Sequence, residues 1–160
     1  RDFVRPDSFA FVLSMFSSFG YFGEKGEDLV VLQNMFASLE PGGGLLIALR
    51  HKEQLAKMDQ PKTSHQLPDG STLVEQREVS GDSIRVHNEW RLIRSGKPYN
   101  FKWTVTVYSS RRLRQMLVHT GFVGVRLYGN LDGAKYGRNA ERLVAVARKP
   151  QTHLFTRMRQ

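Results

Sequence analysis

Aromatic side chains are concentrated in one stretch of the sequence, residues 8–22, which reads SFAFVLSMFSSFGYF. Residues 9–13 form a continuous apolar run, which predicts a strand covered on both faces. The residues after it combine serine and glycine with further aromatic types. A buried strand that opens into such a loop is typical of an open α/β sheet, in which ligands bind outside the carboxyl ends of the strands. The stretch therefore predicts a cleft for an apolar or amphipathic small molecule.

Two more strand ends are expected to reach the same edge of a parallel sheet, at residues 50–51 and 128–136. Their convergence with the first stretch would gather five aromatic side chains around one carboxylate: Phe16, Phe19, Tyr21, Tyr128 and Tyr136, with Asp132. Such rings can hold a sulfonium group by cation–π contact as well as an apolar ligand. Each ring taken alone is equally consistent with ordinary hydrophobic core, so the prediction depends on the whole group.

Other reactive residue types are poorly arranged for catalysis. The sequence contains no cysteine, no Gly-x-Ser-x-Gly motif and no phosphate-binding loop. Its histidines are scattered without the spacing of metal ligands, so no metal site is expected: His51, His65, His87, His119 and His153. No general base can be assigned. His51 and Tyr108 are candidates only because each lies at the end of an element near the predicted cleft.

Hydrophobic periodicity predicts the elements that follow the aromatic stretch. Apolar residues at three- and four-residue spacing, after an acidic first turn, indicate a helix over residues 27–39. Three glycines at 42–44 end this helix, and residues 45–49 are the next buried strand. Because the helix precedes the glycines, they form a turn and not a nucleotide-binding loop. Strand, helix and strand predict a right-handed parallel crossover.

The periodicity changes to two after residue 71. Alternating segments there predict an antiparallel meander inside an otherwise parallel pattern: residues 72–78, 84–92 and 101–107. A helix is then expected up to Thr120, begun by a serine cap at 109 or 110 and ended by Gly121. Two strands, at 122–128 and 142–147, complete the domain, and residues 151–160 are expected to be a flexible tail.

Composition limits the class of protein. The 160 residues suffice for one domain with a sizeable core, and no apolar run approaches the ~20 residues that span a bilayer. The absence of cysteine is compatible with a reducing cytoplasm, which is the location we expect. The net charge of +9 is dispersed and is densest at Arg111, Arg112 and Arg114. An alternative function is therefore a non-catalytic basic module that binds RNA, another polyanion or a protein partner.

Three motifs, taken in order, resemble the second half of the class I S-adenosylmethionine-dependent methyltransferases that act on small molecules. SMFSSFGYF, at 14–22, is similar to the loop after the fourth strand of that family. LEPGGGLLI, at 39–47, and the segment from GF at 121 to VAVARKP at 150 resemble its next turn and its closing strands. The resemblance covers residues 1–150 and implies a Rossmann-like α/β fold. In it the chain supplies the carboxyl-terminal portion of the sheet, and residues 67–108 form an antiparallel insertion that covers the substrate.

The resemblance implies S-adenosylmethionine as the cofactor and a small-molecule methyl acceptor as the partner, with nucleic acid, metal and membrane not expected. It implies cofactor contacts by four residues: Ser14, Met15, Phe16 and Phe19. The predicted acceptor-binding residues lie in the same loop and at the strand ends: Phe19, Tyr21, Phe22, Arg50, Tyr108, Tyr128 and Tyr136.

The sequence also departs from the family pattern. Ala10 stands where an aspartate is usual, and Arg112 lies near the usual place of an acidic residue. The family's glycine-rich loop and the acidic residue that binds the ribose hydroxyls have no counterpart, and the chain begins with Arg1. We therefore expect an incomplete part of a methyltransferase that binds the cofactor weakly or not at all by itself. A sheet edge left open in such a part is expected to allow self-association.

Overall fold

The computed structural model describes residues 1–22, 26–50, 62–80 and 85–151. Two helices and eight strands lie in this part of the chain. Their bounds, in chain order, are β1 Phe9–Ser14, α1 Glu27–Ser38, β2 Leu39–Arg50, β3 Lys62–Gln66, β4 Thr72–Val79, β5 Arg85–Arg94, β6 Lys97–Thr106, α2 Ser110–Thr120, β7 Val123–Tyr128 and β8 Arg142–Arg148. Apart from Gln151, the predicted tail lies outside the described residues.

The main sheet has the strand order β1-β2-β8-β7. Strands β1 and β2 are parallel, as the strand–helix–strand pattern predicts. Strand β8 is antiparallel to both of its neighbours, so β7 runs in the same direction as β2. The carboxyl ends of β1, β2 and β7 therefore lie at one edge of the sheet, but β8 separates β7 from the other two.

The two helices pack on each other and on the main sheet. Leu32 of α1 and Leu113 and Leu117 of α2 are fully buried in the core that they share with the sheet. Helix α2 begins as predicted, because the Ser109 side chain accepts a hydrogen bond from the backbone N–H of Arg112. It ends at Gly121 in a left-handed conformation, so both predicted ends of this helix are confirmed.

Strand β1 is covered on one face only. Val12 packs against the core, whereas Phe11 and Leu13, on the opposite face, are 70% and 64% exposed. Among the described strands it also lies at the edge of its sheet, paired with β2 alone. The predicted strand is confirmed, but the prediction that both faces are covered is wrong for this chain, because no described element packs over Phe11 and Leu13.

Strand β2 begins earlier than predicted and contains an irregularity. Phe9 pairs with Leu39, and Phe11 pairs with Gly44, so residues 40–43 lie opposite Ala10 alone. The glycines therefore do not form the predicted turn between helix and strand. They lie in an irregular segment that interrupts the pairing of β1 with β2. The predicted strand at residues 45–49 is buried as expected, with only Leu46 half-buried.

The second sheet has the order β3-β4-β5-β6, and all of its neighbouring strands are antiparallel. It therefore contains the predicted meander and one strand more, and it begins at Lys62, before the predicted boundary at residue 67. Strand β3 reads KTSHQ and is mostly exposed. It has no apolar alternation, so periodicity could not identify it.

The open edge of β1 predicts that the 160-residue chain self-associates through this strand. Light scattering over a concentration series is expected to show dimers or larger species. Replacement of the exposed Leu13 by lysine is expected to shift the chain towards monomer, since a charge on an edge strand disfavours pairing. Val118→Lys, at a similarly exposed apolar position on α2, is the control and should not change the mass. A monodisperse wild-type monomer would contradict the prediction.

Candidate functional site

A cavity of about 270 Å³ lies between the carboxyl edge of the main sheet and the second sheet. One wall consists of residues from the loop after β1 and from the end of β2, including Phe16, Tyr21 and Arg50. The opposite wall consists of residues from β4, β5 and β6, including Trp90 and Trp103. The cavity thus lies outside the ends of parallel strands, where open α/β sheets bind ligands.

The loop after β1 has an unusual backbone. Phe16 and Ser17 have φ angles of 57° and 61°, in the left-handed region that residues other than glycine rarely adopt. Two hydrogen bonds to β2 hold it there, from the Ser17 N–H to the Ala48 carbonyl (3.0 Å) and from the Arg50 N–H to Ser17 Oγ (2.9 Å). The Phe16 ring is 80% exposed at the strand end. Strain held in this way is found at ligand-binding loops.

Gly20 joins this loop to the second sheet. The Thr106 N–H, at the end of β6, donates a hydrogen bond of 2.7 Å to the Gly20 carbonyl. The φ angle of Gly20 is 106°, and a Cβ at this position would lie 2.5 Å from the Thr106 carbonyl oxygen. Only glycine allows this approach, so the two walls of the cavity meet at Gly20.

A buried acid lies behind the cavity wall. Asp28, in the first turn of α1, is 6% exposed, and Tyr108 donates a hydrogen bond of 2.5 Å to its Oδ2 atom. Burial raises the pKa of Asp28, while the Tyr108 hydroxyl and the backbone N–H groups of Phe22 and Gly20 oppose that rise. Neither N–H makes a hydrogen bond to Oδ1, which has no partner among the described residues.

Tyr108 lines the cavity, and its phenol is held as a hydrogen-bond donor. Burial, followed by the hydrogen bond to Asp28 and its charge, raises the pKa of Tyr108 well above its usual range. A phenol in this state does not accept a proton at neutral pH, so the arrangement does not support Tyr108 as the general base. His51, the other candidate, lies outside the described residues.

The cavity brings together five of the residues that the sequence singled out: Phe16, Phe19, Tyr21, Arg50 and Tyr108. Phe19 is only 3% exposed, and its ring lies 5.4 Å from that of Tyr108, so it belongs to the core as much as to the wall. Ser14 is buried at the end of β1, and Met15 and Phe22 are half-buried; none of the three lines this cavity.

The residues predicted from the end of β7 do not reach the cavity. Tyr128 pairs with Val144, on the far side of β8 from β2. Tyr136 packs against the hydrophobic core, and Asp132 is exposed. The sequence predicted that three strand ends converge. The ends of β1 and β2 do so at the cavity, whereas the end of β7 does not, because β8 lies between β2 and β7.

Sequence reasoning missed the wall that the second sheet provides. Val86, Asn88 and Trp90 alternate along β5, and Asn88 and Trp90 pair with Trp103 and Phe101 on β6. The Trp90 and Trp103 rings are 5.0 Å apart and nearly perpendicular. The signal available in the sequence was Asn88, a polar residue on an otherwise apolar face.

Metal-ligand groups and membrane-spanning helices are both absent from the described residues. They contain no group of three histidine, aspartate or glutamate residues placed to hold a metal ion. None of the helices in the same part of the chain is long and apolar enough to cross a membrane.

No family model and no curated protein matches the chain, whereas solved structures do. An S-adenosylmethionine-dependent methyltransferase from Clostridium acetobutylicum has a TM-score of 0.76 at 11% identity over 93% of this chain. The CcbJ methyltransferase from Streptomyces caelestis has a TM-score of 0.69 at 15% identity over 89% of this chain. CalS10 is an amino pentose methyltransferase from Micromonospora echinaspora, solved with S-adenosylmethionine bound. It has a TM-score of 0.59 at 16% identity over 92% of this chain.

The chain spans 61% of the length of each of these three proteins. At these identities the likeness concerns the fold. The chain therefore has the Rossmann-like α/β fold of class I S-adenosylmethionine-dependent methyltransferases, and the predicted fold class is confirmed.

Proposed function

We propose that the protein to which this chain belongs transfers a methyl group from S-adenosylmethionine to a small molecule. The observation that carries the proposal is the cavity, which in a methyltransferase fold lies between a strained aromatic loop and an antiparallel sheet. S-adenosylmethionine, when bound, supplies an electrophilic methyl group. Methyl transfer depends chiefly on placing the acceptor atom in line with that group. The walls of a cavity can do this without a dedicated catalytic residue.

The described residues fit one side of the cofactor. The exposed Phe16 ring at the end of β1 can contact a sulfonium by cation–π attraction. Ser14, Met15 and Phe19 adjoin it, and we propose all four as cofactor-binding residues. The sequence has no Gly-x-Gly-x-Gly turn, and the acidic residue that follows the family's second strand and binds the ribose hydroxyls has no counterpart in it.

We propose that the remaining cofactor contacts come from further strands of a longer protein. The uncovered face and open edge of β1 support this, as does the 61% coverage of the similar structures. In this arrangement residues 1–150 are part of a methyltransferase domain, and the second sheet covers the acceptor. The lack of cysteine is compatible with a cytoplasmic location, which we also propose.

Calorimetric titration tests this proposal with S-adenosylmethionine and S-adenosylhomocysteine. We expect binding to a longer form of the protein that includes a glycine-rich strand and turn, and weak or no binding to the 160-residue chain. In the longer form, Phe16→Ala should lower the affinity for S-adenosylmethionine by about threefold to tenfold, as expected for one cation–π contact. Phe101→Ala, at an exposed ring outside the cavity, is the control.

Failure of the longer form to bind either compound would contradict the proposal and favour the basic-module alternative. That alternative depends on Arg111, Arg112 and Arg114, which are exposed in the first turns of α2. It requires an affinity for polyanions that falls steeply with salt and is lost when these charges are reversed.

A further inference from the structure

We propose that the acceptor bound in the cavity is a flat, unsaturated ring that carries an anionic group, a carboxylate or a phosphate. This inference rests on the proposed methyl transfer and names the class of acceptor. Two properties of the cavity walls carry it, which are the sign of their charges and the chemistry of their surfaces.

The charged side chains on the described walls are both cationic. Arg50 ends β2, and Arg77 lies on β4 opposite Asn88. No aspartate or glutamate is among the described residues that line the cavity. The Arg50 backbone is fixed by its hydrogen bond to Ser17 Oγ, and its side chain makes no hydrogen bond or ion pair with any described residue. A guanidinium held beside an apolar wall is suited to bind an oxyanion through charge-assisted hydrogen bonds.

Two acids close to the lining residues in the fold, Glu75 and Asp28, have hydrogen-bond partners. Glu75 lies on the same face of β4 as Arg77, but its Oε2 is 3.3 Å from Thr63 Oγ1 and 3.5 Å from His65 Nε2. Asp28 is buried behind Tyr108, which donates to it. Neither acid is among the described residues that line the cavity. A cationic amine bound there would lie near the Arg50 guanidinium and would find no carboxylate among the described lining residues, which disfavours it.

Aromatic rings contribute to both walls of the cavity. Trp90 and Trp103 form an edge-to-face pair on one wall, and Phe16 and Tyr21 are exposed on the other. On the same wall as the tryptophans, Asn88 donates from its amide nitrogen to the Val86 carbonyl, and its amide oxygen can accept a hydrogen bond from a polar substituent. A volume of about 270 Å³ suits a molecule of one or two rings.

The two tryptophans of the sequence both line the cavity, so their fluorescence reports ligand binding directly. The experiment titrates the 160-residue chain with four probes that share one ring: benzoate, phenyl phosphate, benzamide and benzylamine. Calorimetry checks the constants obtained from fluorescence. We expect the better of the two anions to bind at least about tenfold more tightly than benzamide, and benzylamine to bind most weakly. Which anion binds more tightly identifies the acidic group.

Three variants connect the preference to the cavity. Arg50→Gln should reduce the preference for the anion over benzamide to about threefold or less, whereas Arg50→Lys, which keeps the charge, should retain part of it. Arg126→Gln, at an exposed arginine on β7 outside the cavity, should leave the preference unchanged. Circular dichroism and thermal unfolding of each variant exclude loss of folding as the cause.

Equal affinity for all four probes, or tighter binding of benzylamine, would overturn the inference. Absence of measurable binding of any probe to the wild-type chain would also overturn it. Neither result bears on cofactor binding by the longer form, which is measured separately, so failure of this inference is distinguishable from failure of the proposed methyl transfer.

Discussion

Replacement of Gly20 by alanine is expected to destabilise the chain by about 2–4 kcal/mol. The new Cβ would lie 2.5 Å from the backbone carbonyl oxygen of Thr106, which cannot rotate away as a side chain can. The φ angle of 106° adds the strain of a left-handed alanine. Relief of the contact requires β6 to move away from the loop after β1, so we also expect the walls of the cavity to separate. Urea unfolding measures the first effect, and the fluorescence of Trp90 and Trp103 reports the second.

Gly133→Ala is the matched control for this substitution. Gly133 also has a positive φ angle, 88°, but a Cβ there would meet no atom within 4 Å. We therefore expect only the conformational cost, about 1 kcal/mol, and no change in tryptophan fluorescence. Equal destabilisation by the two substitutions would show that the contact between Gly20 and Thr106 is not what restricts residue 20.

The hydrogen bond between Tyr108 and Asp28 should have the second large effect. Tyr108→Phe keeps the ring but removes the phenol that donates to the buried Asp28 Oδ2, beside an Oδ1 atom that already has no partner in the described part of the chain. We expect the free energy of unfolding to fall by about 1–3 kcal/mol. The double variant Tyr108→Phe, Asp28→Asn should recover part of this loss, because it removes the buried charge that the phenol solvates. Equal stability of the single variant and the wild type would contradict the assigned hydrogen bond.

The pH dependence of stability follows from the direction of the Asp28 shift. Because burial raises the pKa of Asp28 in the folded state, the unfolded chain releases this proton at lower pH than the folded chain. The contribution of Asp28 to stability is therefore complete below the ordinary aspartate pKa of 3.8 and decreases as the pH rises through the folded-state pKa. We expect Asp28→Asn to gain stability relative to the wild type over this range, measured by urea unfolding. Asp132→Asn, at an exposed acid, should show no such trend.

Elements specified by nearby residues could be predicted from the sequence. Helix α2 has a serine cap, an apolar face at helical spacing and a terminal glycine, all between Ser109 and Gly121, and the structure has all three. Strand β3 has no comparable signal, since it is polar and exposed and becomes a strand by pairing with β4. The apolar run in β1 predicted the strand but not its uncovered face. Apolar residue types do not indicate whether the residues that pack against them belong to the described part of this chain.

In the candidate site, too, the features specified by nearby residues could be predicted, whereas those that depend on strand pairing could not. The loop after β1 was identified because its aromatic residues follow one another in the sequence. The wall formed by Asn88, Trp90 and Trp103 depends on the register between β5 and β6 and on which face turns inward, and neither is a local property. Tyr128 and Tyr136 were placed at the cleft because chain order was taken as spatial order, whereas β8 lies between β7 and β2.

The pairing of β2 with β8, described above as part of the main sheet, has a consequence for the order of folding. It joins Gly44 to Arg148, so it must close a loop that contains the whole second sheet. Strands β5 and β6 are instead joined by a tight turn at Ser95 and Gly96, and hairpins of this kind form in about 1–10 μs. Long-range pairing is slower because the entropy of loop closure is lost before its contacts form. The second sheet should therefore form first, and the cavity, which needs both sheets, should be completed last.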